Sequence, residues 1–221
     1  NIPLIIWGEN PQMEYGGPAS VSDTQFLDKE WNEKHGGYFL DKIKPRDLVK
    51  YGIELKDLKP YLYPTDEEIN EMGVTGIFLG YYIKWDARKQ LDIMKTMGFS
   101  TLEENSEGTY TNYENLDTKY VAMHDYFKFL KFGFGRATDH ASIDIRNGRL
   151  TREEGLELVK KYDGKIPLKY FKEFLNDFEL TENEFIDICE KFTNKDIFKT
   201  DKNGNLIRDK NNNIVKLNSN Y

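Results

Sequence analysis

Cysteine is nearly absent from this chain of 221 residues, which contains only Cys189. A lone thiol cannot form a disulfide within the chain, and it cannot by itself hold a zinc ion. The sequence is therefore typical of a protein of the reducing cytoplasm. We interpret Cys189 as an unpaired core residue in preference to a catalytic thiol.

A surplus of positive charge is missing as well. The sequence carries 31 basic and 38 acidic side chains, which gives a formal net charge of -7. This balance argues against general electrostatic binding of nucleic-acid phosphate, although a local basic patch is still compatible with it. No apolar run is long enough to cross a bilayer, and nothing resembles a secretory signal. We expect a cytoplasmic protein with neither nucleic acid nor membrane as a partner.

The longest apolar run covers residues 2–7, is broken only by Pro3 and ends at Gly8. A short run of this kind predicts a strand buried on both faces, as in a parallel sheet covered by helices. A second strand is predicted over residues 76–85, which are rich in aromatic and β-branched side chains. One such strand needs several neighbours, which suggests that preceding strands belong to a portion absent from this sequence. We expect residues 1–86 to be the C-terminal part of an α/β domain.

The rest of the chain predicts a mainly helical region over residues 87–197. The helices are predicted to begin near Asp86, Asn115, Thr138, Thr151, Pro167 and Thr181, where capping residues or Pro precede apolar stripes. A shorter helix is predicted from Thr65.

The tail, residues 198–221, is predicted to form a C-terminal β-hairpin with its turn at Asn203-Gly204. The same stretch does not match a calcium-binding loop, which requires Gly at its sixth position and Glu at its twelfth. Counted from Asp201, Gly204 is fourth and the twelfth residue is Asn212. No solenoid period is apparent.

The turn after the first strand is the first candidate site. Glycines after a buried strand let a ligand approach the backbone, and Glu9 and Asn10 add polar groups at the sheet edge, followed by Tyr15, Gly16 and Gly17. A plain structural loop is the alternative, and spacing alone favours it.

The second candidate is the segment from Lys131 to Ser142. Gly133 and Gly135 make a tight turn, Arg136 offers a fork for an anionic group, and the amide groups of the following helix suit phosphate or carboxylate. The glycine spacing matches neither a P-loop nor a dinucleotide fingerprint. The alternative is that Thr138 or Asp139 caps the helix while Arg136 pairs with it.

Histidines supply the third candidate. His140 lies in a polar, turn-proximal helix start and is the better acid–base or substrate-contact candidate. We interpret His124 as a hydrogen-bonded core residue and His35 as a loop residue. No Ser-His-Asp order, HExxH or CxxC motif is present.

These residues resemble those of the N-acetyl sugar amidotransferases of lipopolysaccharide and flagellin glycan pathways, including pseudaminic and legionaminic acid biosynthesis. The resemblance spans most of the chain and rests on IWGEN (6–10) with YGG (15–17), FGFGR (132–136) with HAS (140–142), and GRLTREE (148–154).

The resemblance implies an ATP pyrophosphatase of the PP-loop class, with residues 1–86 as the remnant of its nucleotide-binding parallel sheet. In that class an amino-terminal half carries paired cysteines and a Ser-Gly-Gly-x-Asp-Ser loop that binds ATP with Mg; neither feature occurs in this sequence. The implied reaction is adenylation of an acetamido oxygen on a nucleotide-activated or free N-acetyl sugar, followed by attack of ammonia from a glutaminase subunit. Without the loop we expect this portion to be inactive alone.

The resemblance also implies roles for individual residues. Catalysis would fall to Asp139 and His140. The residues that would contact substrate or nucleotide are Glu9, Asn10, Tyr15, Gly16, Gly17, Lys131, Arg136 and Ser142. Lys131 could equally cover apolar surface with its stem.

Two other functions compete with this one. The chain could be a non-catalytic helical module that docks a glutaminase or another biosynthetic partner. A tRNA-modifying PP-loop relative is disfavoured by the acidic balance.

Overall fold

The computed structural model of the chain describes residues 2–8, 25–26, 29, 43–114, 116–210 and 213–217. The chain divides into two compact units, residues 1–85 and 86–221, where the sequence suggested three parts. Across the described residues, no helix has the length and apolar character needed to span a membrane.

The first unit contains a two-stranded parallel sheet. Strand β1 (Leu4–Trp7) pairs with β2 (Thr75–Phe78) in a register that sets Leu4 opposite Thr75. Its helical elements are a 3-10 helix at Pro45–Tyr51, α1 at Leu55–Leu58, a 3-10 turn at Lys59–Tyr61, α2 at Asp66–Met72 and α3 at Leu79–Tyr82. Parallel pairing agrees with the predicted α/β arrangement, but two strands do not establish a PP-loop sheet.

The predicted burial of the first strand is wrong for the described residues. All four residues of β1 are exposed, with Ile6 56% and Trp7 43% accessible. A parallel strand is buried only when further layers cover it, and the described residues supply no such layer. The second strand is also shorter than predicted, because the chain turns into α3 at Leu79.

The second unit is mainly helical, as predicted. Its helices are α4 (Ala87–Thr96), α5 (Val121–Phe132), α6 (Arg136–Arg146), α7 (Arg152–Tyr162), α8 (Phe171–Asp177) and α9 (Glu182–Phe192). The capping boxes predicted for α7 and α9 are confirmed: the Thr151 and Thr181 hydroxyls each accept from the backbone N–H of the glutamate three residues on.

The core of the second unit lies between α5, α8, α9 and the C-terminal segments. Phe185, Leu130 and Phe198 are fully buried there. Aromatic rings surround Phe185, with the centroid of Phe171 at 5.1 Å in an edge-to-face arrangement. Cys189 is buried in the same cluster, and its burial raises the pKa of the thiol to about 12, which confirms it as an inert core residue.

The C-terminal residues form three mutually bonded segments, and the predicted two-stranded hairpin is not confirmed. Phe198, Leu206 and Ile214 follow one another at intervals of eight residues, and all three are buried. The backbone bonds close a triangle, with Ile207 N donating to Lys199 O (2.9 Å), Val215 N to Ile207 O (3.0 Å) and Lys199 N to Val215 O (2.8 Å).

An eight-residue repeat in the sequence accounts for this triangle, and the sequence prediction did not identify it. The first two segments are each followed by an Asp-Lys-Asn turn. The carboxylates of Asp201 and Asp209 accept equivalent bonds from the backbone N–H of Asn205 and Asn213, both at 2.9 Å. Equivalent Asp–Asn bonds therefore accompany both returns of the chain, and a third segment pairs with the first.

Candidate functional site

The turn between α5 and α6 carries the glycine-rich candidate motif. Gly133 ends α5 in the left-handed region at φ 78°, and Gly135 is the N-cap of α6. The carboxylate of Asp163 accepts from the backbone N–H of Gly135 at 2.8 Å, the N–H of Ala137 at 3.1 Å and the Thr138 hydroxyl at 2.6 Å. The amides that the sequence offered to an external anion are therefore bonded to an internal carboxylate. The sequence analysis did not identify this role of Asp163, which is the C-cap residue of α7.

We expect Gly135→Ala to destabilise the second unit by about 1–3 kcal/mol. A Cβ at this position would lie 2.7 Å from Asp163 Oδ1, so the carboxylate would have to leave the α6 N-terminus. Urea unfolding followed by far-UV circular dichroism measures the loss. Gly80→Ala is the control, because its added methyl meets nothing within 4 Å. An unchanged midpoint for Gly135→Ala would show that Asp163 does not hold this turn.

Arg136 is engaged with a buried carboxylate. Its Nε and Nη2 donate to Asp125 at 3.1 and 3.0 Å, and Asp125 is only 5% exposed. Burial by itself would lower the pKa of Arg136, but the bonds to Asp125 outweigh it and raise that pKa. Asp139 lies 3.9 Å from Arg136 and forms an ion pair with Lys128. The substrate role of Arg136 and the catalytic role of Asp139 stay predictions.

His140 is buried in a polar network on α6. Its Nδ1 lies 2.6 Å from the Thr109 hydroxyl and 3.2 Å from that of Thr111, and its Nε2 bonds the carboxylate of Glu114. In the tautomer with the proton on Nε2, the ring donates to Glu114 and accepts from Thr109. The adjoining cavity, lined also by Tyr113, measures about 10 Å³, room for about one water. The catalytic role of His140 stays a prediction.

The interpretation of His124 as a core histidine is wrong. Its side chain is 75% exposed and lies 3.3 Å from Asp125. Helix α5 directs Met123, Tyr126 and Leu130 into the core, so His124 falls on the other side of the helix. His35 lies outside the described residues.

A second ionic network joins α6 to the start of α4. Asp144 accepts from Arg88 at 3.1 and 2.7 Å, from Arg149 at 2.7 Å and from the Tyr110 hydroxyl at 2.8 Å. Arg149 also donates twice to Asp86, at 2.9 and 3.0 Å. The sequence identified Asp86 as a helix cap, which its 3.3 Å bond from the Arg88 amide confirms. It missed Asp144, whose position between two isoleucines was the available signal.

Hydrogen bonds and burial in this network shift the pKa values of Asp144, Asp86 and Tyr110. Burial by itself would raise the pKa of Asp144, but the bonds from Arg88, Arg149 and Tyr110 outweigh it and lower that pKa. The bonds from Arg149 lower the pKa of Asp86. Burial, together with the bond to Asp144, raises the pKa of Tyr110. The network therefore keeps its carboxylates ionised. We interpret it as a structural clamp, in which Arg88 and Arg149 join α6 to the start of α4.

The second unit also contains a cleft of about 860 Å³, within the size range of small-molecule sites. Its walls are formed by α6, α7 and the C-terminal segments. Apolar side chains include Phe129, Ile145 and Val159, and polar groups include Thr138 and Ser142. Of the predicted site residues with a described structure, Ser142 alone lines this cleft.

The remaining predicted site residues lie elsewhere. Lys131 is exposed with its Nζ 5.1 Å from the Phe132 ring centroid, as expected if its stem covers apolar surface. The first candidate group, Glu9, Asn10, Tyr15, Gly16 and Gly17, lies outside the described residues. The described part of the chain contains no group of three or more His, Cys, Asp or Glu able to hold a metal ion.

Comparison with known proteins concerns mainly the second unit. Residues 107–211 match the family model of the C-terminal domain of WbpG-like LPS biosynthesis proteins. The match covers just under half of the chain and supports a WbpG-like family and a role in lipopolysaccharide biosynthesis. No curated protein matches the chain.

Proposed function

We propose that the chain is the C-terminal, sugar-binding portion of a cytoplasmic, ATP-dependent amidotransferase of lipopolysaccharide biosynthesis. The proposed reaction converts an N-acetyl group on a sugar to an acetamidino group. The acetamido oxygen bonds to the α-phosphorus of ATP and displaces pyrophosphate; ammonia from a glutaminase subunit then adds to the imidate carbon, and AMP departs with the oxygen. The atoms balance: amide, ATP and ammonia give amidine, AMP and pyrophosphate, and the amide oxygen leaves on AMP.

One observation carries this proposal. The cleft of about 860 Å³ has its helical walls, α6 and α7, inside the range that matches the WbpG-like domain. The walls include Ser142 and Arg152, which belong to two of the strings on which the amidotransferase resemblance rests. A cavity of ligand size formed by those strings supports a substrate-binding role for this domain.

None of the described residues is proposed to bind ATP or Mg. The sequence contains no Ser-Gly-Gly-x-Asp-Ser loop, and the described residues offer no metal-holding cluster. The chemistry derived for this chain is therefore limited to binding and orienting the sugar. Apolar side chains such as Phe129 and Val159 exclude water from one face of the sugar, and the hydroxyls of Thr138 and Ser142 can bond its polar groups.

Apolar surface on the second unit favours a second function, a docking module for a glutaminase or another partner. Leu168 is 72% exposed, Phe178 58%, and Ile188 and Phe192 also remain accessible on α9. Exposed apolar side chains that form one contiguous patch are typical of protein interfaces.

Calorimetric titration of the chain separates the two functions. The probes are a nucleotide-linked N-acetylglucosamine and the same nucleotide linked to glucose, which differ only in the acetamido group. We expect the first to bind and the second to bind about tenfold more weakly, because a site for the acetamido group loses its hydrogen bonds. Ser142→Ala should weaken binding, whereas Ser100→Ala, exposed and outside the cleft, should not.

Equal affinity for the two probes, or no binding of either, would contradict the amidotransferase proposal. No binding of either probe combined with a stable complex with a purified glutaminase would favour the docking module.

A further inference from the structure

One stripe of α6 forms its side of the cleft. Thr138, Ser142 and Ile145 follow one another at intervals of four and three residues, and all three line the cleft. Side chains with this spacing lie one above the other on the same face of a helix. The stripe therefore presents two hydroxyls and then an apolar side chain to a ligand, over a length of about 10 Å.

The two hydroxyls of this stripe are not equivalent. The Thr138 hydroxyl donates to Asp163 at 2.6 Å, so its proton is engaged at the N-terminus of α6. Ser142 lies one turn further along the helix, is half-buried, and precedes Ile145 by three residues. Ser142 is therefore the hydroxyl that adjoins the apolar end of the stripe.

Ile145 lies where α6 contacts α7. A Cβ added at Gly155 of α7 would lie 2.7 Å from Ile145 Cδ1 and 3.6 Å from the Cβ of Ala141. Ile145 and Gly155 both line the cleft, and Ile145 is 36% exposed. The end of the Ile145 side chain therefore occupies space that any larger residue at position 155 would fill.

An acetamido group has two parts that such a surface can hold. Its N–H donates a hydrogen bond, and its methyl group is apolar. In the proposed reaction the acetamido oxygen attacks ATP, so that oxygen has to stay open and the group has to be held by its other atoms. A serine hydroxyl beside an isoleucine offers an acceptor for the N–H and an apolar contact for the methyl group.

We propose that Ser142 and Ile145 form the acetamido subsite of the cleft, and that Gly155 determines specificity because it sets the position of Ile145. This inference rests on the proposed function and names the part of the sugar that α6 recognises. The Ser142 hydroxyl accepts from the acetamido N–H, and the Ile145 side chain packs against the methyl group. A glucose hydroxyl in the same place has no methyl group to set against Ile145.

Methyl NMR of the full chain tests this contact. The δ1 methyl groups of isoleucine are isotope-labelled, and the Ile145 signal is identified by its loss in Ile145→Val. We expect the nucleotide-linked N-acetylglucosamine to shift this signal and its acetyl methyl group to show a nuclear Overhauser effect to Ile145. The glucose-linked probe should shift the signal much less. Ile143, on the same helix but outside the cleft, is the internal control and should stay unshifted.

Calorimetric titration of variants tests how the subsite selects its ligand. Ile145→Val removes one methylene group and should weaken the N-acetyl probe by about threefold, with no effect on the glucose probe. Gly155→Ala pushes the end of Ile145 into the cleft and should weaken the N-acetyl probe by about tenfold. Ile143→Val and Gly80→Ala are the matched controls, because neither residue lines the cleft and a Cβ at Gly80 meets nothing within 4 Å.

The inference is wrong if both probes shift the Ile145 signal equally, or if Ile145→Val and Ile143→Val weaken the N-acetyl probe alike. If Gly155→Ala does not fold, Ile145→Val decides the result, because it removes only one methylene group from a partly exposed side chain. Failure of the proposed function looks different: the wild-type chain would bind the N-acetyl and glucose probes equally, or neither. A wild-type chain that prefers the N-acetyl probe without a shift of the Ile145 signal would keep the proposed function and exclude this subsite.

Discussion

Asp144→Asn is expected to lower the free energy of unfolding of the second unit by about 3–5 kcal/mol. Asp144 is 2% exposed and accepts four hydrogen bonds, from Arg88, Arg149 and Tyr110. The asparagine has nearly the same shape but removes the negative charge, so two guanidinium groups lose their shared counter-charge. Loss of one partner from a buried ion pair costs more than the pair contributes.

Urea unfolding followed by far-UV circular dichroism measures this loss. The three tryptophans, Trp7, Trp31 and Trp85, all lie in the first unit, so their fluorescence reports that unit separately. Asp92→Asn is the control: Asp92 is exposed on α4, and a surface change there should stay within about 0.5 kcal/mol. An Asp144→Asn variant that unfolds at the wild-type urea concentration would refute the clamp.

Acid sensitivity should change in the same variant. The pKa of Asp144 is lowered in the folded state, so its contribution is fully present above the unfolded pKa of about 3.9 and is lost as the pH falls through the folded value. Stability of the wild-type second unit should therefore fall below about pH 4. Asp144→Asn should fall less steeply over that range, and an identical slope would assign the acid sensitivity to other carboxylates.

Phe185→Ala is expected to destabilise the second unit by about 3–5 kcal/mol. Phe185 is 1% exposed, and the ring centroids of Phe127, Phe171 and Phe174 lie 6.1, 5.1 and 6.0 Å from its own. Truncation removes buried apolar surface and leaves a cavity that three rings on two other helices cannot close. The edge-to-face contacts with those rings are lost in addition.

The matched control is Phe132→Ala, because Phe132 is 51% exposed at the end of α5. We expect a loss below about 1 kcal/mol there. Phe185→Leu should fall between the two, since it refills part of the volume. Equal losses for Phe185→Ala and Phe132→Ala in urea unfolding would show that α9 does not anchor this core.

Local chemistry made much of the helical half predictable. Thr151 and Thr181 each precede a glutamate by three residues, and the resulting capping boxes form within four residues of chain. The apolar stripe predicted for α9 contains Phe185, which is buried, although Ile188 and Phe192 in the same stripe are 40% and 44% exposed. Such signals depend on residues that are neighbours in sequence, so they can be recognised without knowledge of the rest of the fold.

The strands and the tail were predicted less well. The apolar run at β1 correctly indicated a strand in a parallel pair, yet its exposure depends on what packs against it, which no local pattern contains. The tail shows the opposite failure. The hairpin signal at Asn203-Gly204 obscured the longer spacing of Phe198, Leu206 and Ile214, which brings a third segment back to the first.

The sequence by itself determined where α4, α7 and α9 begin, that Cys189 is a core residue, and which segment carries the candidate motif. Tertiary structure alone decided what that motif contacts. Asp163 reaches the α6 N-terminus from 25 or more residues away, and Arg136 and His140 are taken up by Asp125 and Glu114. It also assembled the cleft from helices α6 and α7 and the repeat. Charge pairing and cavities arise from packing between distant segments, whereas helix caps and apolar stripes depend on residues that lie close together in the sequence.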